Sequence, residues 1–166
     1  MLNRNSAYWL AAILLVVDQV AKWIMLSPLR LREVGEIVLL PIFSFTYVEN
    51  RGISLGMLHA DTDTGRWLLV AMTAAIALGV AYWIRREEQP GERVALGMVL
   101  GGALGNIVDR VRFGYVVDFL DLHFGTFRPF YVFNVADAAI SIGVVILLLR
   151  AFFASRTKNS ESRSHG

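Results

Sequence analysis

Residues 67–84 read WLLVAMTAAIALGVAYWI, a run of 18 residues without a charged side chain. A helix rises about 1.5 Å per residue, so this run approaches the ~20 residues needed to cross the roughly 30 Å hydrocarbon core of a bilayer. Three further apolar runs occupy residues 8–25, 94–111 and 131–149. The sequence therefore predicts an all-α polytopic membrane protein, a bundle of four transmembrane helices over residues 8–26, 67–84, 94–111 and 131–150.

The composition agrees with a membrane protein and narrows its chemistry. Of the 166 residues 55% are hydrophobic and the mean hydropathy is +0.52, more apolar surface than a soluble chain of this length can bury. Cysteine is absent and histidine occurs three times, which excludes disulfides and thiol nucleophiles and disfavours a metal site. The net charge of +2 is small, which disfavours nucleic-acid binding. We expect no cofactor and no metal, and chemistry carried by carboxylates or hydroxyls.

The distribution of basic residues predicts the orientation of the bundle. The N-terminus, the turn at 85–93 and the chain from 150 hold eight Lys and Arg in 33 residues, whereas the two other connections hold seven in 62. Cytoplasmic segments carry the excess of Lys and Arg. Both termini are therefore predicted to be cytoplasmic.

The connections between the apolar runs have distinct compositions. Residues 36–48 are rich in β-branched and aromatic residues and are interrupted at Pro41, so we predict two short strands within a small β-rich outer insertion over residues 28–65, between helices one and two. The following segment 51–58 could continue this sheet or form a short helix. Residues 1–154 are predicted to be one membrane-embedded domain, and the polar segment 155–166 a disordered cytoplasmic tail.

Ionisable and amide side chains recur at helical spacing in three of the four runs. Residues three or four apart share one face of a helix, so each of these runs has one polar stripe: Asp18 with Lys22; Asn106, Asp109 and Arg110; and Asn134, Asp137 and Ser141. Counted along the predicted helices, all three stripes lie in the outer half of the bilayer. A buried charge costs at least about 2.5 kcal/mol on insertion scales, so the stripes are expected to face one another or a wet cavity.

The residues alone leave two interpretations of these groups open. Some could be neutralised ion pairs that only fix helix registration, namely Asp18–Lys22 and Asp109–Arg110. Asp137 differs because its own helix offers no cation within one turn, and Asp118 lies in an apolar stretch just beyond the third run. Two carboxylates without dedicated cations near one interface suggest a pair that shares a proton.

Glycine recurs every four residues in the third run, at Gly97, Gly101 and Gly105. A strip of small residues allows the backbone of a neighbouring helix to approach closely. We interpret this strip as a packing feature and assign no chemistry to it.

Five short blocks of the sequence, in order, resemble the bacterial lipoprotein signal peptidases, also called signal peptidase II. They are Asp18-Gln-Val-Ala-Lys22, Asn50-Arg-Gly52-Ile-Ser54, Gly101-Gly-Ala-Leu-Gly-Asn106-Ile-Val-Asp109-Arg110, Val117-Asp118-Phe119 and Phe133-Asn134-Val-Ala136-Asp137. The resemblance extends from Asp18 to about Gly143. It implies that Asp118 and Asp137 are the catalytic dyad, and the Val-Asp-Phe block favours Asp118 over the nearby Asp121. It also implies a set of residues that shape or support the site: Asp18, Lys22, Asn50, Gly52, Asn106, Asp109, Arg110, Asn134 and Ala136.

The supporting residues can be given expected roles, each beside a purely structural alternative. Asn134 lies one turn from Asp137 and is expected to hold its rotamer. Asn106 and Arg110 are expected to orient Asp118 or the substrate backbone. The segment around Asn50 and Gly52 is expected to line the entrance, with glycine allowing a backbone turn that other residues resist. Each amide or charge could instead only satisfy its neighbours.

The resemblance also implies an activity and a location. They are those of an aspartic intramembrane endopeptidase that cuts diacylglyceryl-modified prolipoproteins just before the lipid-modified cysteine, in the bacterial inner membrane and near its periplasmic face. Its partners would be these substrates and membrane lipids, and the enzyme a monomer. Two rival functions are a proton- or ion-coupled transporter, which predicts polar residues across the full membrane depth, and a scaffold subunit.

Overall fold

The computed structural model describes residues 4–52, 63–125 and 127–164. In chain order its elements are α1 (Arg4–Leu26), α2 (Leu31–Val34), β1 (Glu36–Leu40), β2 (Phe43–Asn50), α3 (Asp63–Arg86), α4 (Pro90–Phe113), β3 (Val116–Leu122) and α5 (Val135–Ser164). Within these ranges, four helices are long and apolar enough to cross a membrane: α1, α3, α4 and α5. The four predicted transmembrane helices are confirmed by length and composition.

Exposed tryptophans mark the two ends of the bundle. Trp9 and Trp23 lie near opposite ends of α1, and Trp67 and Trp83 near opposite ends of α3. The two tryptophans of α1 are about 21 Å apart along the helix, and those of α3 are about 24 Å apart. Tryptophan favours the interface between membrane and water. Trp23 and Trp67 belong to the end of the bundle from which the strands project, which we call the sheet end.

Helix α4 is the centre of the bundle and packs against α1, α3 and α5. A Cβ atom added to Gly101 would lie 2.7 Å from the carbonyl oxygen of Ala11, and one added to Gly105 would lie 2.6 Å from the carboxylate of Asp18. Neither position has room for a side chain, so the close approach predicted for this glycine strip is confirmed. The contact at Gly105 also brings the polar stripe of α1 against that of α4.

The sheet has three antiparallel strands in the order β1-β2-β3. The two strands predicted on either side of Pro41 are confirmed. The sheet is not confined to the insertion at 28–65, however, because its third strand comes from the connection between α4 and α5. Strand β3 carries Asp118 opposite Val48, and Asp121 opposite Ser44. Its residues are almost all buried, so the alternation of apolar and polar residues that marks a half-exposed strand is missing.

Helix α5 differs from its predicted bounds at both ends. It begins at Val135 instead of residue 131, because Phe133 is extended and its backbone exchanges hydrogen bonds with Leu120 of β3. It continues to Ser164, through most of the segment for which disorder was predicted. No glycine or proline lies between Arg150 and Ser164 to end the helix.

Candidate active site

One residue, Asn134, joins the two carboxylates predicted to form the dyad. Its amide Nδ2 donates to Asp118 Oδ1 at 2.6 Å, and its backbone N–H donates to Asp137 Oδ2 at 3.2 Å. Asp118 comes from β3 and Asp137 from the first turn of α5. The structure therefore brings the two predicted residues to one point at the sheet end of the bundle.

The position of Asp137 follows from how α5 begins. The Asn134 side-chain oxygen accepts from the backbone N–H of Asp137 at 2.9 Å, while the Asp137 carboxylate accepts from the backbone N–H of Asn134. This reciprocal pair has the form of a capping box, which satisfies two N–H groups that a helix start leaves unbonded. As predicted, Asn134 contacts the Asp137 side chain, and it does so through its backbone N–H group.

Amides, and no cations, bind the two carboxylates. Asn50 Nδ2 donates to Asp118 Oδ2 at 3.0 Å, and Asn106 Nδ2 donates to Asp137 Oδ1 at 2.8 Å. Among the residues that the structure describes, no Lys, Arg or His lies within ion-pair distance of Asp118 or Asp137. Asn106 was expected to orient Asp118 or the substrate backbone. Its amide contacts Asp137 and not Asp118, and a contact with the substrate backbone stays a prediction.

The environment of Asp118 favours its protonated form. Burial raises the pKa of its carboxyl to about 7, and the negative charge of Asp137 acts in the same direction. The hydrogen bonds from Asn50 and Asn134 lower this pKa by less. At pH 7 about half of the Asp118 carboxyl groups are therefore protonated, whereas an exposed aspartate would be almost fully ionised.

A second group of carboxylates surrounds Lys22. Lys22 Nζ lies 2.7 Å from Asp18 Oδ2 and 2.7 Å from Asp109 Oδ2, and all three side chains are almost completely buried. The structural pair predicted between Asp18 and Lys22 is confirmed. The alternative pairing of Asp109 with Arg110 is wrong, because consecutive residues of a helix do not face each other.

The Lys22 cluster holds the backbone next to each dyad aspartate. Asp18 Oδ1 accepts the backbone N–H of Ala136 at 3.0 Å, and Asp109 Oδ2 accepts the backbone N–H of Val117 at 3.0 Å. Ala136 immediately precedes Asp137, and Val117 immediately precedes Asp118. The predicted supporting residues Asp18, Lys22, Asp109 and Ala136 therefore act on the dyad through two backbone hydrogen bonds.

Asp121, the competing candidate on β3, is fully buried but has a cation. Arg128 Nε lies 3.3 and 3.2 Å from its two carboxylate oxygens, and Thr46 Oγ1 donates to it at 3.2 Å. Asp121 therefore has a dedicated cation, which Asp118 lacks among the described residues. This difference favours Asp118 over Asp121 as the partner of Asp137.

The predicted entrance segment is described only in part. Gly52 has a φ of +117°, which glycine adopts easily, and its N–H donates to the side chain of Asn50 at 3.1 Å. This turn aims the Asn50 amide at Asp118. Most of the segment 51–58, predicted as strand or short helix, lies outside the described residues.

Arg110 and three residues that the sequence did not single out complete the surroundings. Arg110 Nη1 lies 3.5 Å from the Asn106 carbonyl oxygen. Arg66 donates to the carbonyl oxygens of Arg110 and Val111 at the end of α4. Gln19 donates to Asp109 at 2.8 Å. Its position within the block Asp18–Lys22 could have marked it as a residue of the site. Arg128 had no such signal.

A cavity of about 980 Å³ opens beside Asp137. Its walls are mostly apolar and come from the sheet, from the chain that precedes α5 and from the first turns of α5: Thr46, Val48, Asp121, Leu122, Arg128, Pro129, Phe130, Tyr131, Val132, Phe133, Asp137, Ala138, Ser141 and Ile142. A long apolar ligand would fit there with its reacting bond against a carboxylate. Among the described residues, His, Asp and Glu side chains form no group of three that could hold a metal ion.

Comparison with known proteins gives a consistent result. A family model described as signal peptidase (SPase) II matches residues 10–153. A lipoprotein signal peptidase of Rhizorhabdus wittichii is 55% identical over 157 residues, which cover 95% of this chain and 91% of that protein. Another, of Sphingopyxis alaskensis, is 58% identical over 141 residues, covering 85% and 82%. A bacterial membrane enzyme solved by the in meso method at 2.3 Å resolution has a TM-score of 0.78 and 28% identity, covering 93% of this chain and 92% of that one.

Proposed function

Because the chain belongs to the signal peptidase II family, a family of membrane peptidases, we propose that it is an aspartic endopeptidase that removes signal peptides from diacylglyceryl-modified prolipoproteins. Its relatives are lipoprotein signal peptidases. The observation that carries the aspartic mechanism is the shared partner Asn134, which donates to Asp118 and Asp137. Two carboxylates joined in this way, one with a raised pKa, suit the activation of a water molecule.

The first chemical step adds water to the scissile carbonyl group. In this proposal Asp118 carries the shared proton and Asp137 is ionised. Asp137 accepts a proton from the water, the water oxygen bonds to the carbonyl carbon, and Asp118 gives its proton to the carbonyl oxygen. The product is a neutral tetrahedral diol, so no unpaired oxyanion forms in a buried site.

The second step breaks the C–N bond. Asp137 returns its proton to the leaving nitrogen, and Asp118 recovers a proton from one hydroxyl of the diol as the new carboxyl group forms. The dyad ends each cycle with the single proton with which it began. The proton belongs to the pair, so this assignment describes the dominant arrangement of a coupled titration.

We propose that the reaction takes place near the periplasmic face of the inner membrane, with both termini in the cytoplasm. The excess of basic residues near the termini and the 85–93 turn supports this orientation. The interfacial tryptophans Trp23 and Trp67 lie at the same end of the bundle as the dyad, a depth suited to a substrate with its acyl chains in the lipid.

The rival functions fit the distribution of polar groups less well. A transporter predicts polar residues across the membrane, whereas the buried polar residues of the described chain gather at the sheet end. The opposite half contains an apolar cluster that includes Ala7, Ala11, Ile84 and Leu96. A scaffold subunit predicts that neither dyad carboxylate is needed, which an experiment can decide.

The test is cleavage of a diacylglyceryl-modified prolipoprotein by the purified protein in detergent. Asp118→Asn and Asp137→Asn should each lower kcat by at least about a hundredfold, with unchanged chromatographic and thermal-unfolding behaviour. Asp63→Asn, at the exposed start of α3, is the matched control and should cleave normally, and a chelator should have no effect. Normal cleavage by either dyad variant would remove that residue from the mechanism.

A further inference from the structure

Arg128 is a cation held in a fixed place on the cavity wall. Its Nε atom lies within 3.3 Å of both carboxylate oxygens of Asp121, and Asp121 is fully buried. Thr46 supplies a further hydrogen bond to the same carboxylate. The buried carboxylate accepts hydrogen bonds from Nε alone, so it anchors the guanidinium and leaves the N–H groups of Nη1 and Nη2 available.

Arg128 lines a largely apolar cavity. Arginine has five N–H donors, and the described contacts use only the one on Nε. The side chain is 54% exposed and lines the cavity. Among the described residues that line this cavity, Arg128 is the one cation. Its Nη1 and Nη2 groups are therefore positioned to donate to an oxygen of a bound molecule.

The cavity runs from the level of Arg128 into the membrane-spanning part of α5. Asp137, Ala138, Ser141 and Ile142 line it over more than one turn of that helix. Arg128 lies outside the candidate spans, in the connection that precedes α5. A ligand with its acyl chains along α5 would have its glyceryl group and ester carbonyls at the end of the hydrocarbon region. Arg128 lines this same end of the cavity.

We propose that Arg128 is a specificity residue that binds the ester carbonyl oxygens of the substrate's diacylglyceryl group, an inference that rests on the proposed function. A guanidinium donates two parallel N–H groups and keeps its charge at every relevant pH. Asp121 is the positioning residue that fixes it. The enzyme would thereby recognise acyl esters, in addition to the presence of two long chains.

The test compares two substrates that differ only at these carbonyl groups. One is the diacylglyceryl-modified prolipoprotein, and the other is the same prolipoprotein with a dialkyl ether glyceryl group of equal chain length. The wild-type protein should prefer the ester substrate about tenfold in kcat/KM, the size of one hydrogen bond to a charged group. The preference should arise in KM, because Arg128 does not act on the scissile bond.

Two variants separate recognition from folding. Arg128→Ala should bring the ester-to-ether ratio close to one. Asp121→Asn/Arg128→Ala should do the same while leaving no unpaired buried carboxylate. Arg30→Ala removes an exposed arginine that pairs with Glu33 away from the cavity, and it should keep the wild-type ratio.

The outcomes distinguish this inference from the proposed function. Equal cleavage of both substrates by the wild-type protein, or a wild-type ratio in either Arg128 variant, would overturn the role of Arg128 and leave the peptidase activity standing. Failure of the wild-type protein to cleave either substrate would overturn both.

Discussion

Two pairs of buried carboxylates lie at the same end of this bundle and differ in their partners. Asp18 and Asp109 share the ammonium group of Lys22. Asp118 and Asp137 are bound by amides from Asn50, Asn106 and Asn134. The first pair shares one positive charge, and in the proposed mechanism the second pair shares one proton. Burial alone therefore does not distinguish the proposed catalytic pair from the other carboxylates, whereas the kind of partner does.

The two pairs are also connected, because the carboxylates bound to Lys22 hold the backbone next to Asp118 and Asp137. Each carboxylate of the Lys22 cluster accepts the backbone N–H of the residue before a dyad aspartate. The pair bound to Lys22 holds the backbone, and the pair bound by amides remains available for the proposed chemistry. Substitutions should separate these contributions, because changes at Lys22 act first on stability and changes around the dyad act first on protonation.

The largest effect is expected from Lys22→Met. Removal of one partner of a buried ion pair costs about 3–5 kcal/mol because the remaining charges stay buried, and here two carboxylates would lose their shared cation. Thermal unfolding in detergent should show a large fall in the midpoint. Arg30→Met, which breaks an exposed pair with Glu33, should leave the midpoint nearly unchanged. Equal midpoints for the Lys22 variant and the wild type would contradict a structural role for the cluster.

A smaller, divided effect is expected at Asn134. Asn134→Ala removes the cap of α5 at a cost of about 1 kcal/mol and also removes a hydrogen bond to Asp118. Asn134→Ser keeps a capping oxygen but loses the amide that reaches Asp118. We expect the serine variant to recover most of the unfolding midpoint and little of the cleavage rate. Full recovery of both would show that Asn134 acts only as a cap.

The bundle itself could be predicted from the lengths of the apolar runs, because a bilayer demands long helices of apolar residues. The glycine strip and the polar stripes follow from helical periodicity in the same way. Strand β3 could not be predicted as easily, since it is buried on both faces and contains two aspartates. The start of α5 depends on a tertiary contact between Phe133 and Leu120, which no local pattern encodes.

The residues that gather around Asp118 and Asp137 could be predicted from the sequence, but their pairings could not. Except for Arg110 and Gly52, each expected residue makes one of two kinds of contact. It hydrogen-bonds Asp118, Asp137 or the backbone N–H of the residue before them, or it belongs to or hydrogen-bonds the ion-paired cluster around Lys22. The sequence could not tell that Asp109 turns to Lys22 on another helix, or that Asn106 contacts Asp137. Such choices depend on how helices rotate against one another. Gln19 and Arg128 were missed because an amide and an exposed arginine are common on protein surfaces.

The smallest effect is expected from Asn50→Ala and should be seen in the pH dependence of kcat/KM. The Asn50 hydrogen bond lowers the pKa of Asp118, so its loss should raise that pKa further. Asp118 must be protonated in the proposed mechanism, so activity is lost as the pH rises through its pKa, about 7 in the wild type. The alkaline limb of log kcat/KM should therefore move to higher pH in the variant. Arg32→Ala, which removes an exposed arginine of α2, should not move it. A shift to lower pH in Asn50→Ala would contradict the assigned hydrogen bond.

The most direct measurement of the central claim is the infrared absorption of protonated carboxyl groups in the purified protein, followed as a function of pH. We predict a component of the carboxylic-acid band that titrates with a midpoint at about pH 7, the pKa of Asp118, and is present at pH 6. This component should be missing in Asp118→Asn and unchanged in Asp63→Asn. A wild-type spectrum without such a component at pH 6, or a component that survives in Asp118→Asn, would contradict a proton-sharing pair centred on Asp118.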